Sequence, residues 1–465
     1  MNYSEYLDWD DQITAVQNIA KAHSAKISLV TTVHPIVALR DWQGRLHLCI
    51  PCDSNVAETL GLRPLIEDFH TQLVKIAWAS DLSSNLRLKE VGERPLDKLA
   101  IFKYSEDDGT DIWNSSDLVA ISTNPNIALL DRQDKNQEWL RQDTHTSAQT
   151  SKRVVFYGVK GGVGRSAAIS GLALSLGEQS KSVLIVDLDL ESPGVSSSLL
   201  STDLLPDYGI VDWFAADSLG LDTEAMTSEM MVETSPLSRA TQAKIYVCPS
   251  FGATTQGYIR KLGRVFRQNE EGEPYSVRID RLIGRLEAQY NPDVTLIDCR
   301  AGIDDTSAAA LTHLGAELVL LFSINTSQTW KAYEILFKHL SDHPSVHTPQ
   351  DFRFKLQIVS ALTPDAGLAP NYFTDMCERS YDVMEKLYDE IEVPSEQIAA
   401  DELNDGVFSY SAGSEQAPHI PWRIMWDEAL RAFDPVSHAE HYSLNLRQKV
   451  FGEFTDEASK FLFGS

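Results

Sequence analysis

Positive charge is scarce in this sequence. Its 465 residues carry 40 Lys and Arg against 67 Asp and Glu, a formal net charge of −27. Tracking a phosphate backbone requires Lys and Arg to neutralise phosphates, so direct binding to nucleic acid or anionic lipid is not expected. The partners expected are proteins or small ligands. Long apolar runs are lacking as well. No stretch of about 18 apolar residues is present, so no membrane span is expected. The opening MNYSEYLDWDDQ has no basic segment ahead of an apolar one, which is the pattern of a secretory signal. Cysteine is sparse: Cys49, Cys52, Cys248, Cys299 and Cys377. An odd, low count fits a reducing compartment, and the expected localisation is cytoplasmic. Internal repeats and low-complexity tracts are absent.

What is present is ordinary globular composition, with 43% hydrophobic and 23% charged residues. The length suits two or three domains at roughly 100–200 residues each. Residues 1–131 read as a small α+β domain. An amphipathic helix is expected around Ile13, Val16, Ile19 and Ala20, and a second over 65–79. Strands are expected at 27–33, 45–50, 98–102 and 118–122, with 45–50 forming a hairpin with 36–39. Residues 132–151 are polar and read as a linker. From 152 to 465, apolar strand-like runs (VVFYGV, SVLIVDLD, KIYVCPS, DVTLIDC, LVLLFSI, LQIVSAL) alternate with helical stretches. That alternation predicts an α/β fold, a doubly wound, mainly parallel sheet covered on both faces.

The most informative segment is VVFYGVKGGVGRSAAISGLALSLG, 154–177. An apolar strand runs into Gly158, Val159, Lys160, Gly161, Gly162, Val163, Gly164, Arg165 and Ser166, and an Ala/Leu-rich helix follows. This strand–loop–helix order makes a P-loop pattern a credible phosphate site. Glycines let consecutive amides point inward, and the helix N-terminus adds to their field. Ser166 is placed to put its hydroxyl on Mg²⁺. A Gly-rich loop alone is common turn punctuation; the flanking elements and two acidic strand ends decide the reading.

Those strand ends are SVLIVDLD, with Asp187 and Asp189, and DVTLIDC, with Asp298. Phosphoryl transfer is mostly positioning and charge stabilisation, so carboxylates are needed near metal and water. A carboxylate at Asp298 suits a water of the Mg²⁺ shell. Asp304 and Asp305 read as a helix cap.

The string KGGVGRS resembles the deviant Walker A motif of the MinD/ParA-like ATPases, KGGxGK[ST], and is most similar to the bacterial KGGVGR variants. The resemblance covers about Arg153 to the C-terminus and implies a P-loop ATPase domain binding ATP and Mg²⁺ through residues 158–167. It implies that Lys160 is the signature lysine that reaches a partner's phosphates in a nucleotide-sandwich homodimer. Arg165 stands for the second family lysine and Ala167 for a threonine, which implies slow hydrolysis. Asp189 matches the residue that orients the attacking water, Asp187 lies near the metal shell, and Gly302 in Cys-Arg-Ala-Gly donates its N–H to the γ-phosphate. KIYVCPS and the segment around Pro421 and Pro435 match later family landmarks, with Pro421 near the base. Ser360 and Ala361 stand where the family's adenine-reading Asn belongs. The acidic run 389–405 reads as a solvated face; the longer segment that holds it, 362–418, lies between two family landmarks and is expected as an insertion that binds a partner.

The function expected is a slowly hydrolysing, Mg-dependent ATPase acting as a nucleotide-dependent dimerisation switch on an unidentified protein partner. Variants of this kind imply a setting in bacterial defence. Two other readings stand beside it: a static nucleotide-binding scaffold, and a partition or positioning ATPase acting through an adaptor. A tyrosine kinase is disfavoured because Tyr410 and Tyr442 are isolated. Cys49 and Cys52 form a C-x-x-C with no completing pair and read as small apolar residues. The C-terminal stretch carries Leu446, Val450, Phe454 and Phe461 at helical spacing and reads as a packed helix rather than a lipid anchor.

Overall fold

Periodicity decides the first element. Val16, Ile19 and Ala20 recur at helical spacing and are buried along α1 (Trp9–Ala22). The computed structural model describes residues 9–30, 34–40, 46–76, 100–102, 119–120, 127–131, 138–140, 149–241, 243–266, 269, 273–390, 406–431, 433–438 and 443–464. The chain divides into two units, Met1–Gln137 and Glu138–Ser465.

In the first unit α1 is followed by α2 (Ser24–Val30), β1 (Ile36–Arg40), β2 (Leu46–Ile50), α3 (Ser54–Thr59), α4 (Arg63–Ile76), β3 (Ile101–Phe102), β4 (Val119–Ala120) and β5 (Ile127–Asp131). The strand expected at 27–33 is instead helix through Val30, and residues 31–33 lie outside the described ones. A short apolar run does not distinguish a strand from a helix by itself. Here His23, Lys26 and Ile27 turn inward at helical spacing, and Lys26 Nζ donates to the Gly61 carbonyl at 2.9 Å. The hairpin forms: β1 and β2 pair antiparallel, with Val37 opposite Cys49. The sheet order is β3-β2-β1-β5-β4. Cys49 is buried in β2, and burial pushes the Cys52 thiol up, which makes it a poor nucleophile.

The second unit opens within the segment expected as a linker. Glu138–Leu140 form a 3₁₀ turn, and Trp139 is buried in the core. The Glu138 N–H donates to Asp305 Oδ1 at 3.3 Å, and its Oε1 accepts from the Ser276 N–H at 3.2 Å. Then come β6 (Lys152–Gly158), α5 (Arg165–Glu178), β7 (Val183–Asp187), α6 (Val195–Leu199), α7 (Ile210–Asp217), α8 (Glu224–Thr227), β8 (Val232–Glu233), α9 (Ser235–Ala240), β9 (Ile245–Cys248), α10 (Tyr258–Val265) and α11 (Tyr275–Tyr290). They continue with β10 (Val294–Ala301), α12 (Asp305–Thr312), β11 (Leu318–Ser323), α13 (Ser327–Leu340), β12 (Leu356–Thr363), α14 (Tyr372–Met384), β13 (Trp422–Met425) and α15 (Leu444–Phe463).

Eight strands make one sheet in the order β13-β12-β11-β6-β10-β7-β9-β8. All neighbours are parallel except β8 against β9. All six strands read from the sequence are present. Alternate residues of β6 feed two apolar layers. Val155 and Tyr157 join the core under α7, α11, α12 and α13, while Val154 and Phe156 join that under α5 and α15. The terminal helix packs through Val450, Phe451, Phe454, Ala458 and Leu462; Phe461, expected on that stripe, is 47% exposed. Among the described residues no helix is long and apolar enough to cross a membrane.

The amino end of β6 is held by ions. Arg153 is fully buried and forks Glu287, Nε to Oε1 and Nη2 to Oε2, both at 2.8 Å. Its Nη1 donates to Asp280 at 2.5 Å and to the Leu314 carbonyl at 2.9 Å. Ser151 and Thr295 hydroxyls also donate to Glu287 Oε1. A buried guanidinium persists only when its donors are met in this way.

Candidate nucleotide site

The opposite end of β6 carries the glycine loop. It lies near the middle of the sheet, where β7 follows on one side and β11 on the other, the place where open α/β sheets bind ligands. Gly162 and Gly164 take φ of +75° and +79°, backbone that any side chain would strain. Val163 is buried and pins the turn, while Gly161 and Gly162 are exposed. Arg165 starts α5, a 14-residue helix with Ala167 buried in its first turn. The first amides of such a helix lack intrahelical partners and favour an anion.

Three acids gather beside this loop. Asp187 ends β7 and is paired in register with Asp298 of the neighbouring β10. Asp187 is fully buried. Its Oδ2 accepts from the Ser196 N–H at 3.1 Å and the Ser196 hydroxyl at 2.5 Å, which ties the strand end to α6. Burial pushes its carboxyl up to about 6, against the pull of those hydrogen bonds. Asp189 accepts the Ser192 N–H at 3.2 Å; burial raises it as well, with Arg165 opposing. Asp298 is raised well above the usual carboxylate range, by burial first and by Asp187 and Asp189, with Arg165 and a hydrogen bond from Ser166 opposing.

Arg165 sits among these acids. Its Nη2 is 3.6 Å from Asp189 Oδ2 and its Nε 3.7 Å from Asp298 Oδ1. Those separations are ion pairs without hydrogen bonds. Among the described residues Arg165 Nη1 and Asp298 Oδ1 are buried with no hydrogen-bond partner. A buried charged atom left so is expensive. The donor set fits Mg²⁺ and a phosphate: a hydroxyl at Ser166, hard carboxylate oxygens at Asp298 and Asp187, and a guanidinium for phosphate oxygens.

Beyond Asp298, β10 breaks register and pairs again at Ala301 opposite Gly158. Gly302 follows with φ +110°. Its N–H donates to the Gly158 carbonyl at 3.1 Å, and its own carbonyl accepts from the Tyr157 hydroxyl at 3.0 Å. Asp304 caps α12 by accepting the Ser307 N–H at 3.0 Å, as expected of a helix cap. Arg300 pairs with Glu191 at 2.7 Å across the two acidic loops.

The structure thus brings together Gly158, Arg165, Ser166, Asp187, Asp189, Asp298 and Gly302. Lys160 is half-buried and makes no hydrogen bond or ion pair among the described residues. Pro421 does not join this group. It enters β13 at the amino end, three strands from β6, while the loops cap carboxyl ends. Ser360 is buried and its hydroxyl meets Thr363 Oγ1 at 2.8 Å, so β12 ends without an amide side chain to read a base. Three residues of the site are not evident in the sequence: Tyr157, Ser196 and Leu362. Leu362 takes φ +52° and lies 3.6 Å from where a side chain on Gly164 would begin. Only Ser196 had a signal, a hydroxyl at the start of a helix after an acidic strand end.

No protein-family model and no curated protein matches the chain. Solved structures do. A ParA family ATPase from Chlorobium tepidum matches at 16% identity over 66% of this chain and 98% of its own, with a TM-score of 0.42. The Cyanothece McdA(D38A)–ATP complex matches at 12% over 68% and 97%, TM-score 0.39. Cobyrinic acid a,c-diamide synthase from Mycobacterium smegmatis, with ADP and magnesium, matches at 19% over 52% and 84%, TM-score 0.35.

Proposed function

We propose that the second unit binds ATP with Mg²⁺ and works as a slow, nucleotide-dependent dimerisation switch on a protein partner. The observation that supports this most is the pair of buried, unpartnered polar atoms, Arg165 Nη1 and Asp298 Oδ1, beneath a left-handed glycine turn. A phosphate would meet the first, and the hydration shell of a divalent cation the second. Bound Mg²⁺ would supply charge neutralisation at the phosphates, held by Ser166 with Asp298 and Asp187 behind it.

The chain's own residues then have separate tasks. The amides of residues 161–166 orient the phosphates. Arg165 supplies positive charge, but as a planar fork rather than the compact point charge of a lysine, which favours binding over rapid turnover. Asp189 positions water. Lys160, without a partner here, reaches the other subunit's nucleotide. Arg300 and Glu191 couple the loops after Asp187 and Asp298, so both respond to the terminal phosphate together. The net charge of −27 directs partner choice to proteins rather than duplexes. The resemblance adds a defence setting, tested by comparing phage plating on cells carrying wild type and Lys160→Ala.

The test is light scattering with a non-hydrolysable ATP analogue and Mg²⁺. A dimer forms with wild type and is absent in Lys160→Ala. A monomer at saturating nucleotide sinks the dimer switch. Binding without turnover above that of Asp189→Ala favours the static scaffold instead.

A further inference from the structure

Tyr157 is an odd residue for its place. It lies in an interior strand of the sheet, fully buried, directly opposite Leu321 of β11 and following Val154, Val155 and Phe156. Phe would fill the same space without a hydroxyl to satisfy. That hydroxyl donates to the Gly302 carbonyl at 3.0 Å, and Gly302 gives its N–H to Gly158, the residue after Tyr157, at 3.1 Å. Two consecutive residues of β6 therefore grip one residue of the loop after Asp298, through the peptide on its amino side and the peptide on its carboxyl side. Gly302 lies one residue beyond the end of β10, just after the shift in register between Asp298 and Ala301, so the ladder alone does not fix it.

The phenol has little freedom to leave. Its ring stands edge-on to that of Tyr333 at 6.4 Å, a packing contact of the two rings that does not involve the Tyr333 hydroxyl, which donates to the Phe322 carbonyl at 2.9 Å. Burial pushes the Tyr157 phenol well up, so it stays a donor. While the grip holds, the Gly302 N–H is engaged by Gly158 and is not offered to any ligand.

We propose that Tyr157 is a positioning residue that anchors Gly302 by its carbonyl, keeps its N–H turned to Gly158, and thereby sets the discrimination between a nucleoside triphosphate and a diphosphate. The inference rests on the nucleotide reading above. A terminal phosphate near Gly302 has to win its N–H from Gly158, which turns the peptide on the amino side of Gly302, and the Tyr157 hydrogen bond anchors the residue against that turn from its carboxyl side. A diphosphate makes no such demand. Each triphosphate bound therefore works against the Tyr157 grip, which keeps the loop from reporting a triphosphate that is not firmly seated.

The test uses the full chain and two variants. Tyr157→Phe removes the grip; Tyr333→Phe removes a neighbouring buried hydroxyl that does not touch Gly302. Hydrogen exchange without nucleotide is read in peptides covering 299–305. Dissociation constants are measured for a non-hydrolysable ATP analogue and for ADP, each with Mg²⁺. Tyr157→Phe is expected to speed exchange at 302 about tenfold and to tighten the triphosphate analogue about three- to tenfold, with ADP unchanged. Tyr333→Phe is expected to do neither. Unchanged exchange, an equal shift for both nucleotides, or the same effect in Tyr333→Phe overturns the inference and leaves the nucleotide reading standing. Failure of wild type to bind either nucleotide overturns both.

Discussion

Arg165 Nε lies 3.7 Å from Asp298 Oδ1, close enough to neutralise it and too far to bond it. The same guanidinium stands 3.6 Å from Asp189. One cation thus serves two buried acids with a third, Asp187, behind them. Removing it leaves that charge uncompensated. Arg165→Ala should lower the stability of the nucleotide-free protein by roughly 1–3 kcal/mol, read by urea unfolding. Mg²⁺ should recover part of the loss, because the cation takes over the neutralisation. A loss that Mg²⁺ does not touch would show that the acids are not a metal site. Arg165→Lys keeps the charge and should cost less.

The acids also set a pH dependence. Asp187 is raised in the folded protein to about 6 from an ordinary 3.8, so the folded state binds its proton more tightly than the unfolded one. The cost is fully present above pH 6 and is relieved as pH falls from 6 towards 4. Nucleotide-free protein should therefore gain thermal stability between pH 7.5 and 5.5. Asp187→Asn, still able to accept from Ser196, should show a flatter curve over that window. Parallel curves for the two proteins would assign the effect elsewhere.

Among the described residues Lys160 makes no hydrogen bond or ion pair that an alanine would break. Lys160→Ala should keep unfolding free energy within about 0.5 kcal/mol of wild type, as surface changes do. It should keep monomer binding of nucleotide near wild type and abolish the nucleotide-dependent dimer. A large loss of stability would mean that the lysine has a structural role.

Trp139 is 3% exposed within a polar stretch. Trp139→Ala should destabilise the second unit by roughly 3–5 kcal/mol, the usual cost of emptying such a site. A fragment starting at 138 should melt higher than one starting at 149. Equal melting temperatures would show that the turn contributes nothing.

Elements with a long, uninterrupted pattern were legible in the sequence. Each strand of the second sheet with both faces covered reads as an apolar run, and the loop was evident because glycine and helix chemistry coincide there. The run at 27–33 misled because four apolar residues carry no period of their own. The edge strand β8, two residues long, has too little sequence to announce itself. Pro421 was placed by resemblance alone, and the register of β13 puts it at the wrong end of its strand. Tyr157 was legible only as a core residue; that its hydroxyl meets Gly302, far along the chain, depends on the order β6-β10 and on a bulge no local pattern encodes.

The Arg153 knot gives β6 an unequal compliance. One end is clamped by Glu287 and Asp280 through three charge-assisted hydrogen bonds from one fully buried fork. The other end is a glycine turn. A strand clamped at its origin cannot slide lengthwise to absorb a push at its tip. Work done at the loop has to travel sideways, into β10 and β11. With the fulcrum fixed, a small displacement at Gly158 becomes a lateral signal rather than a slip in register.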